Sequence, residues 1–352
     1  MNIFELITPQ NMIAYWDASK ENQQNYMGDW LFPARKVVGL ELSKISGRAG
    51  VPVTLKASAF DTQATYRDRV GIEVQKTKLP FFRERMLIDE TLRQQLLAIS
   101  NENVLRSYVQ NIFDDASNLR RGAKAQRERM AMQLITTGHV KIEGNGVKLD
   151  YNYNMTKKQQ MTPADSWGDT VNSKPLQDLN DWVDYAQTQF GINLGYAIMS
   201  PKTFTLLKSS ESIAYALYPT ANNPGRLFVT SQQVKDLVTA ATGLTILINK
   251  DSYAEEVGGV AKPFFPDNVV TLIPQGGAIG NMFFGTTPEE ADLAVRSQTS
   301  ANTRIVDTGV ALYSRLLDHP VTTEIVCSQV CLPSFGTDLE GCAGSILVAK
   351  VD

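Results

Sequence analysis

Residues 264–290 read FFPDNVVTLIPQGGAIGNMFFGTTPEE. The apolar run Val269 to Pro274 leads into Gly276, Gly277 and Gly280, in GGxxG spacing, and then into Asn281-Met282-Phe283-Phe284. A glycine-rich turn behind a strand cradles phosphate when a lysine and a hydroxyl follow the last glycine, or when a helix opens there. Neither pattern follows here, because the residues after Gly280 read as a second strand. Gly276, Gly277 and Gly280 are therefore expected to form a structural turn, a bulge or close backbone approach between two strands. A nucleotide-binding α/β enzyme built on this turn is the competing reading.

The chain has 352 residues, 43% hydrophobic and 20% charged, which supports a sizeable core and two or three domains or one elaborate one. A net charge of -3 does not fit a dedicated nucleic-acid binder, though local basic patches remain. No apolar run reaches the ~18 residues that span a bilayer. The opening MNIFELITPQNMIAYWDASKENQQ lacks a basic n-region and an uninterrupted apolar stretch. Synthesis in the cytoplasm, with no membrane partner, is the expectation.

No catalytic constellation, metal site or cofactor motif stands out. Three cysteines, Cys327, Cys331 and Cys342, do not make a disulfide framework. Within one strand, Cys327 and Cys331 would share a face about 13 Å apart, too far to bridge. The two histidines, His139 and His319, sit at turn positions without ligand-spaced partners.

Organisation is more informative than chemistry. Residues 1–35 turn polar after a weakly apolar start and read as a loose N-terminal arm. From Lys36 to Lys78 alternation at Val38, Leu40, Leu42 and at Val70, Ile72, Val74 predicts two antiparallel strands of a long hairpin. Such a hairpin has little core of its own and is marginal in water, so it needs a neighbouring domain or chain. Asp89 or Thr91 caps a short helix. Residues 102–137 then carry helical rows, Val104-Tyr108-Ile112 and Leu105-Val109-Phe113, followed by a sparser stripe through Leu134. Unbroken, that helix would be about 50 Å long, with Gly122 as a candidate kink. GNG at 144–146 marks a hairpin. An α/β pattern follows: helices opening near Ser173-Pro175, at Ser200-Pro201 and at Thr230 or Ser231, with strands GYAIMS and LTILIN between them. After the glycine turn and a short TPEEADL helix, the remainder reads as β.

Charge is unevenly placed. In RRGAKAQRER, Arg120, Arg121, Lys124, Arg127 and Arg129 face one carboxylate, Glu128. Either the run is a solvated helix face, or it meets phosphate backbone or an acidic neighbour. The hairpin carries Arg67, Arg69, Lys76 and Lys78, whereas the segment after Thr287 is acid-rich. Opposite charges on separate elements suit contacts between identical copies.

The segment FFPDNVVTLIPQGGAIGNMFFG, with Phe265-Pro266-Asp267-Asn268 leading into its strand, resembles the major capsid protein E family of lambda-type tailed phages. KLPFFRERMLIDETL and MSPKTFTLLKSSESI resemble the same family, in the same order along the chain. The resemblance implies an α+β Hong Kong 97-type capsid fold. It assigns 1–35 to an N-terminal arm, 36–85 to an extended loop, 86–160 to a peripheral domain with a helix at about 102–137, 161–285 to an axial domain, and 286–352 to strands returning to the peripheral domain. It also implies hexamers and pentamers in an icosahedral shell around double-stranded DNA, with a portal at one vertex and, in some members, a decoration protein. No fused helical scaffold precedes the arm, so a separate scaffolding protein is expected. No motif assigns a reactive Lys–Asn pair, so a non-covalent lattice is expected. An encapsulin-like nanocompartment shell is the alternative within the same fold.

Overall fold

A computed structural model describes residues 7, 9–18, 25–46, 48–49, 73–99, 102–220, 228–295, 302–336, 338–339 and 344–352. Its frame is two sheets with one long helix between them. The five-stranded sheet runs in the order Thr245–Ile248, Leu194–Met199, Val269–Pro274, Leu347–Lys350 and Gln160–Met161. Leu194–Met199 pairs in parallel with Thr245–Ile248 and antiparallel with Val269–Pro274.

Around this sheet the local signals act as their chemistry requires. Helix Pro201–Ser209 starts after Ser200, whose side chain accepts from the Thr203 amide. Helix Ser231–Thr242 has a capping box between Thr230 and Gln233. Gly191 and Gly243 end their helices in the left-handed region. Helix Pro175–Phe190 begins at its proline, not at Ser173. Ser173 is buried and bonds the Ser210 hydroxyl at 3.1 Å instead. Trp167, Leu179, Trp182, Phe204, Val238 and Leu272 belong to the core so enclosed.

The six-stranded sheet is organised by the 15-residue strand Val321–Phe335. One edge pairs with Val310–Asp318, which pairs onward to Asn302–Val306. The other edge is shared in succession by Phe81–Ile88, opposite 323–330, and Gly280–Phe284, opposite 331–335. Ala34–Lys36 pairs in parallel with Gly280–Phe284. Not every strand after residue 286 returns to this sheet. Leu347–Lys350 instead enters the five-stranded sheet beside Val269–Pro274, where Leu347, Val348 and Ala349 are all buried.

Helix Glu102–Thr137 is continuous over 36 residues, about 54 Å at ~1.5 Å per residue, with no break at Gly122. Gly122 lies on an exposed position and the flanking turns carry the helix through it. Met130, Ala131, Met132, Leu134 and Ile135 are buried, because this end lies between the sheets. The Ile135 carbonyl accepts from Thr271 Oγ1 of the five-stranded sheet at 3.1 Å, and the Ala123 carbonyl accepts from Gln329 Nε2 of the six-stranded sheet at 3.0 Å. At the other end the predicted apolar row is only half used: Ile112 is buried, whereas Val104 and Tyr108 are 43% and 40% exposed.

The described part of the N-terminal arm is not loose. Helix Pro9–Ala18 lies on the long helix, with Met12 buried and the Tyr15 hydroxyl donating to Asp114 Oδ1 at 2.9 Å. Helix Met27–Leu31 follows, and Leu31 and Phe32 are in the core. The apolar residues here are too few to read as an element, yet they fill the junction between the sheets. The 139–152 hairpin turns at Asn145 and Gly146, both at positive φ (47° and 77°), as a two-residue turn demands.

Candidate assembly interface

The glycine turn joins the two sheets, carrying the chain from Val269–Pro274 to Gly280–Phe284. Gly276 and Gly277 have φ of 126° and 79°. A Cβ on Gly277 would lie 1.9 Å from the Trp30 ring, and one on Gly280 would lie 2.1 Å from the Ser334 carbonyl oxygen. Trp30 thus occupies the space a phosphate would need, edge-on to Tyr196 at 5.2 Å. The amides are also used: Gly277 donates to Pro274, Ala278 to Gly276 and Ile279 to Leu31.

The predicted hairpin is present at its root. Glu41–Ser46 pairs antiparallel with Glu73–Lys78 in the register Glu41↔Lys78 to Ser46↔Glu73. Arg48–Ala49 pairs in parallel with Asp338–Leu339. Arg67 and Arg69 lie outside the described residues. Lys76 is in the returning strand opposite Ser43, and Lys78 is exposed, its carbonyl accepting from the Tyr151 hydroxyl at 2.9 Å.

The basic run does not present a single basic face. Arg127 is buried, donating to Gln329 Oε1 at 3.0 Å with its guanidinium over Phe284. Arg120 holds Asp307 in a two-bond fork, at 2.7 and 3.4 Å. Burial works against ionisation of Asp307, but the hydrogen bond and charge of Arg120 outweigh it and hold the carboxyl below its usual range. Arg129 reaches Glu255 at 3.5 Å and stacks over Tyr253. Lys124 is half-buried, and Arg121, bonded to Asn118, is exposed. Only the C-terminal part of the helix is wedged between the sheets, and there Arg120, Arg127 and Arg129 find partners within the chain.

The sequence profile of the phage major capsid protein E family matches residues 8–308. The chain belongs to the phage major capsid protein E family. A prophage protein of E. coli CFT073, described as its capsid protein, superposes with TM-score 0.59 at 15% identity, over 98% of this chain and 99% of that one. A phage-related protein of Bordetella bronchiseptica RB50 does so with TM-score 0.52 at 12% identity, over 98% and 97%. An encapsulin of Synechococcus elongatus PCC 7942 matches more weakly, with TM-score 0.43 at 12% identity over 96% and 94%. No curated protein sequence matches. The fold is the Hong Kong 97 type, and the chain is a phage major capsid protein, a subunit of an icosahedral shell.

Three polar arrangements in this capsid protein escaped the sequence reading. Glu128, the lone acid of the basic run, is 2% exposed and anchors helix Met27–Leu31. Its Oε2 accepts from the Gly28 amide at 2.7 Å and its Oε1 from Asn249 Nδ2 at 3.4 Å. Burial pushes its pKa up to about 8, against the pull of those two hydrogen bonds. On the outer face of the six-stranded sheet, Arg83, Arg85, Tyr313, Arg315, Glu324 and Val326 line an open cleft of about 330 Å³. Glu324 is buried there beneath Arg85 and Arg315. Finally, Glu289 and Glu290 reach back to the hairpin root. Cys327 and Cys331 are buried free thiols, pushed up to about 12 by desolvation. Among the described residues no group of His, Cys, Asp and Glu side chains could hold a metal ion, and no helix is long and apolar enough to cross a membrane.

Proposed function

We propose that this capsid protein works by shape and contact alone, catalysing no reaction, and that its extended hairpin is the arm with which one copy grips the next. One observation carries this reading: Glu41–Ser46 and Glu73–Lys78 form a two-stranded sheet of their own. A lone hairpin is marginal in water, and a neighbouring copy supplies the surface it lacks. Arg67, Arg69, Lys76 and Lys78 are the side chains we assign to acidic surface on that neighbour. The N-terminal arm, extended loop, peripheral and axial parts then take the boundaries drawn from the sequence, apart from the final strand. Hexamers and pentamers close the lattice non-covalently in the cytoplasm of the bacterial host. A separate scaffolding protein guides closure, a portal occupies one vertex, and a decoration protein is a further candidate partner. Double-stranded DNA packs inside through non-specific contacts, for which Arg121 and Lys124 are the helix charges with outward surface. Gly276, Gly277 and Gly280 serve as the joint between the two sheets.

Electron microscopy of the purified protein, alone and with its candidate scaffold, tests the reading. Closed shells, giving one monomer band on denaturing electrophoresis, are expected. Covalent ladders would overturn the non-covalent lattice. Shells filled with enzyme cargo would favour a nanocompartment, and a nucleotide-induced rise in Tm without particles would favour the enzyme.

A further inference from the structure

Both legs of the hairpin leave the body of the protein past one short segment, 284–290. The outgoing leg is tied to it by the Val37 amide donating to the Phe284 carbonyl at 2.7 Å. The Thr286 amide donates to the Gly39 carbonyl at 3.0 Å, and the Gly39 amide to Thr286 Oγ1 at 3.3 Å. Lys36 Nζ donates to the Gly285 carbonyl at 2.9 Å and to Glu290 Oε2 at 2.5 Å. Just beyond the returning leg, the adjacent carboxylate grips strand Phe81–Ile88 of the six-stranded sheet: Glu289 Oε1 pairs with Arg83, and its Oε2 accepts from Ser328 Oγ at 2.7 Å. The Leu79 amide closes the fork by donating to the Leu40 carbonyl at 2.9 Å. Gly285 sits in the crotch, where a Cβ would lie 2.8 Å from the Gly39 carbonyl oxygen and 2.9 Å from Leu79 Cδ1. Gly39, at φ 92°, supplies the bend of the outgoing leg.

We infer that Glu289 and Glu290 are positioning residues that fix the angle at which the hairpin leaves the body, and so which part of the next copy it reaches. The inference rests on the proposed role of the hairpin in assembly. Two adjacent carboxylates on one helix start tie segment 284–290 to the two sheet strands from which the legs spring, and the Thr286–Gly39 and Leu79–Leu40 bonds fix the legs against that anchored segment. Their contribution is geometric: these pairs are partly exposed, and exposed pairs add little to global stability. A change of angle at the root redirects both strands that spring from it, which is why the root matters more to assembly than to folding.

The test uses the full-length E289Q/E290Q protein beside the charge swap K36E/E290K. E289Q/E290Q is expected to keep Tm within about 3 °C of wild type. Amide exchange at Val37, Gly39 and Thr286 should rise about tenfold, the signature of local opening. The yield of closed shells should fall by a comparable factor, and K36E/E290K should recover more of it than either single reversal. Unchanged exchange at those amides, or a swap no better than the single reversals, would overturn the inference. A wild-type protein that makes no shells would overturn the assembly reading instead, while the exchange measurement would still decide the clamp.

Discussion

The five-stranded sheet and the hairpin root illustrate two ways of being held. The sheet buries itself: helices cap cleanly around it, and Trp167 stacks on Trp182 at 6.1 Å within its core. The hairpin root is held at a fork by a few directed bonds, with Leu42 and Leu79 its buried anchors. In this shell subunit, then, the sheet is held by packing and the hairpin root by directed polar bonds.

The joint is the place where that separation can be broken most severely. Gly280→Val would push a side chain into the Ser334 carbonyl and wedge the strands of the six-stranded sheet apart. We expect a loss of at least about 3 kcal/mol, read as a fall in Tm or as insolubility. Trp182→Ala should cost about 3–5 kcal/mol by emptying the core of the five-stranded sheet, with hairpin exchange unchanged, which sharpens the contrast.

Next comes Glu128. Its folded pKa of about 8 lies above the 4.5 of an ordinary glutamate, so its burial contributes most below pH 4.5. That contribution falls as pH rises through the window from 4.5 to 8 and then levels off. E128Q keeps an acceptor for the Gly28 amide without the titration. The mutant should therefore gain on wild type by roughly several °C in Tm across that window, and a pH-independent difference would refute the assignment. The smallest effect on folding is expected from Arg121→Glu. Its exposed side chain should leave Tm within about 1 °C while lowering particle yield or DNA content, and normal particles with normal DNA would remove it from the assembly surface. Arg120→Glu, by contrast, strikes the Asp307 pair and should lower Tm as well.

Much of the frame was legible from local signals. Thr230 and Ser200 cap helices, Gly191 ends one, and Asn145-Gly146 turns a hairpin, because each acts on backbone within a few residues of itself. The candidate interface was legible only in part. The hairpin's alternation is visible in the chain, but not its clamp, since Arg83 and Glu289 are separated by 206 residues. Trp30 filling the space above Gly277 was equally invisible, as was the part of the N-terminal arm that lies in the core. The basic run misled because a count of charges along a helix does not say which face meets a sheet.

Outside the N-terminal arm, periodicity and end signals in the sequence were enough for most of the helices and strands, for the turn that demands glycine and for the family to which the chain belongs. Each of these rests on periodicity, on backbone conformations open to few residue types, or on an ordered succession of motifs. The long-range contacts of the fold were needed to show that Arg127 is buried, that Glu128 pins helix Met27–Leu31, that Leu347–Lys350 enters the five-stranded sheet, and that Glu289 and Glu290 pair with Arg83 and Lys36 beside the hairpin root. Those outcomes depend on which distant surfaces meet, and desolvation and pairing take effect only once they do.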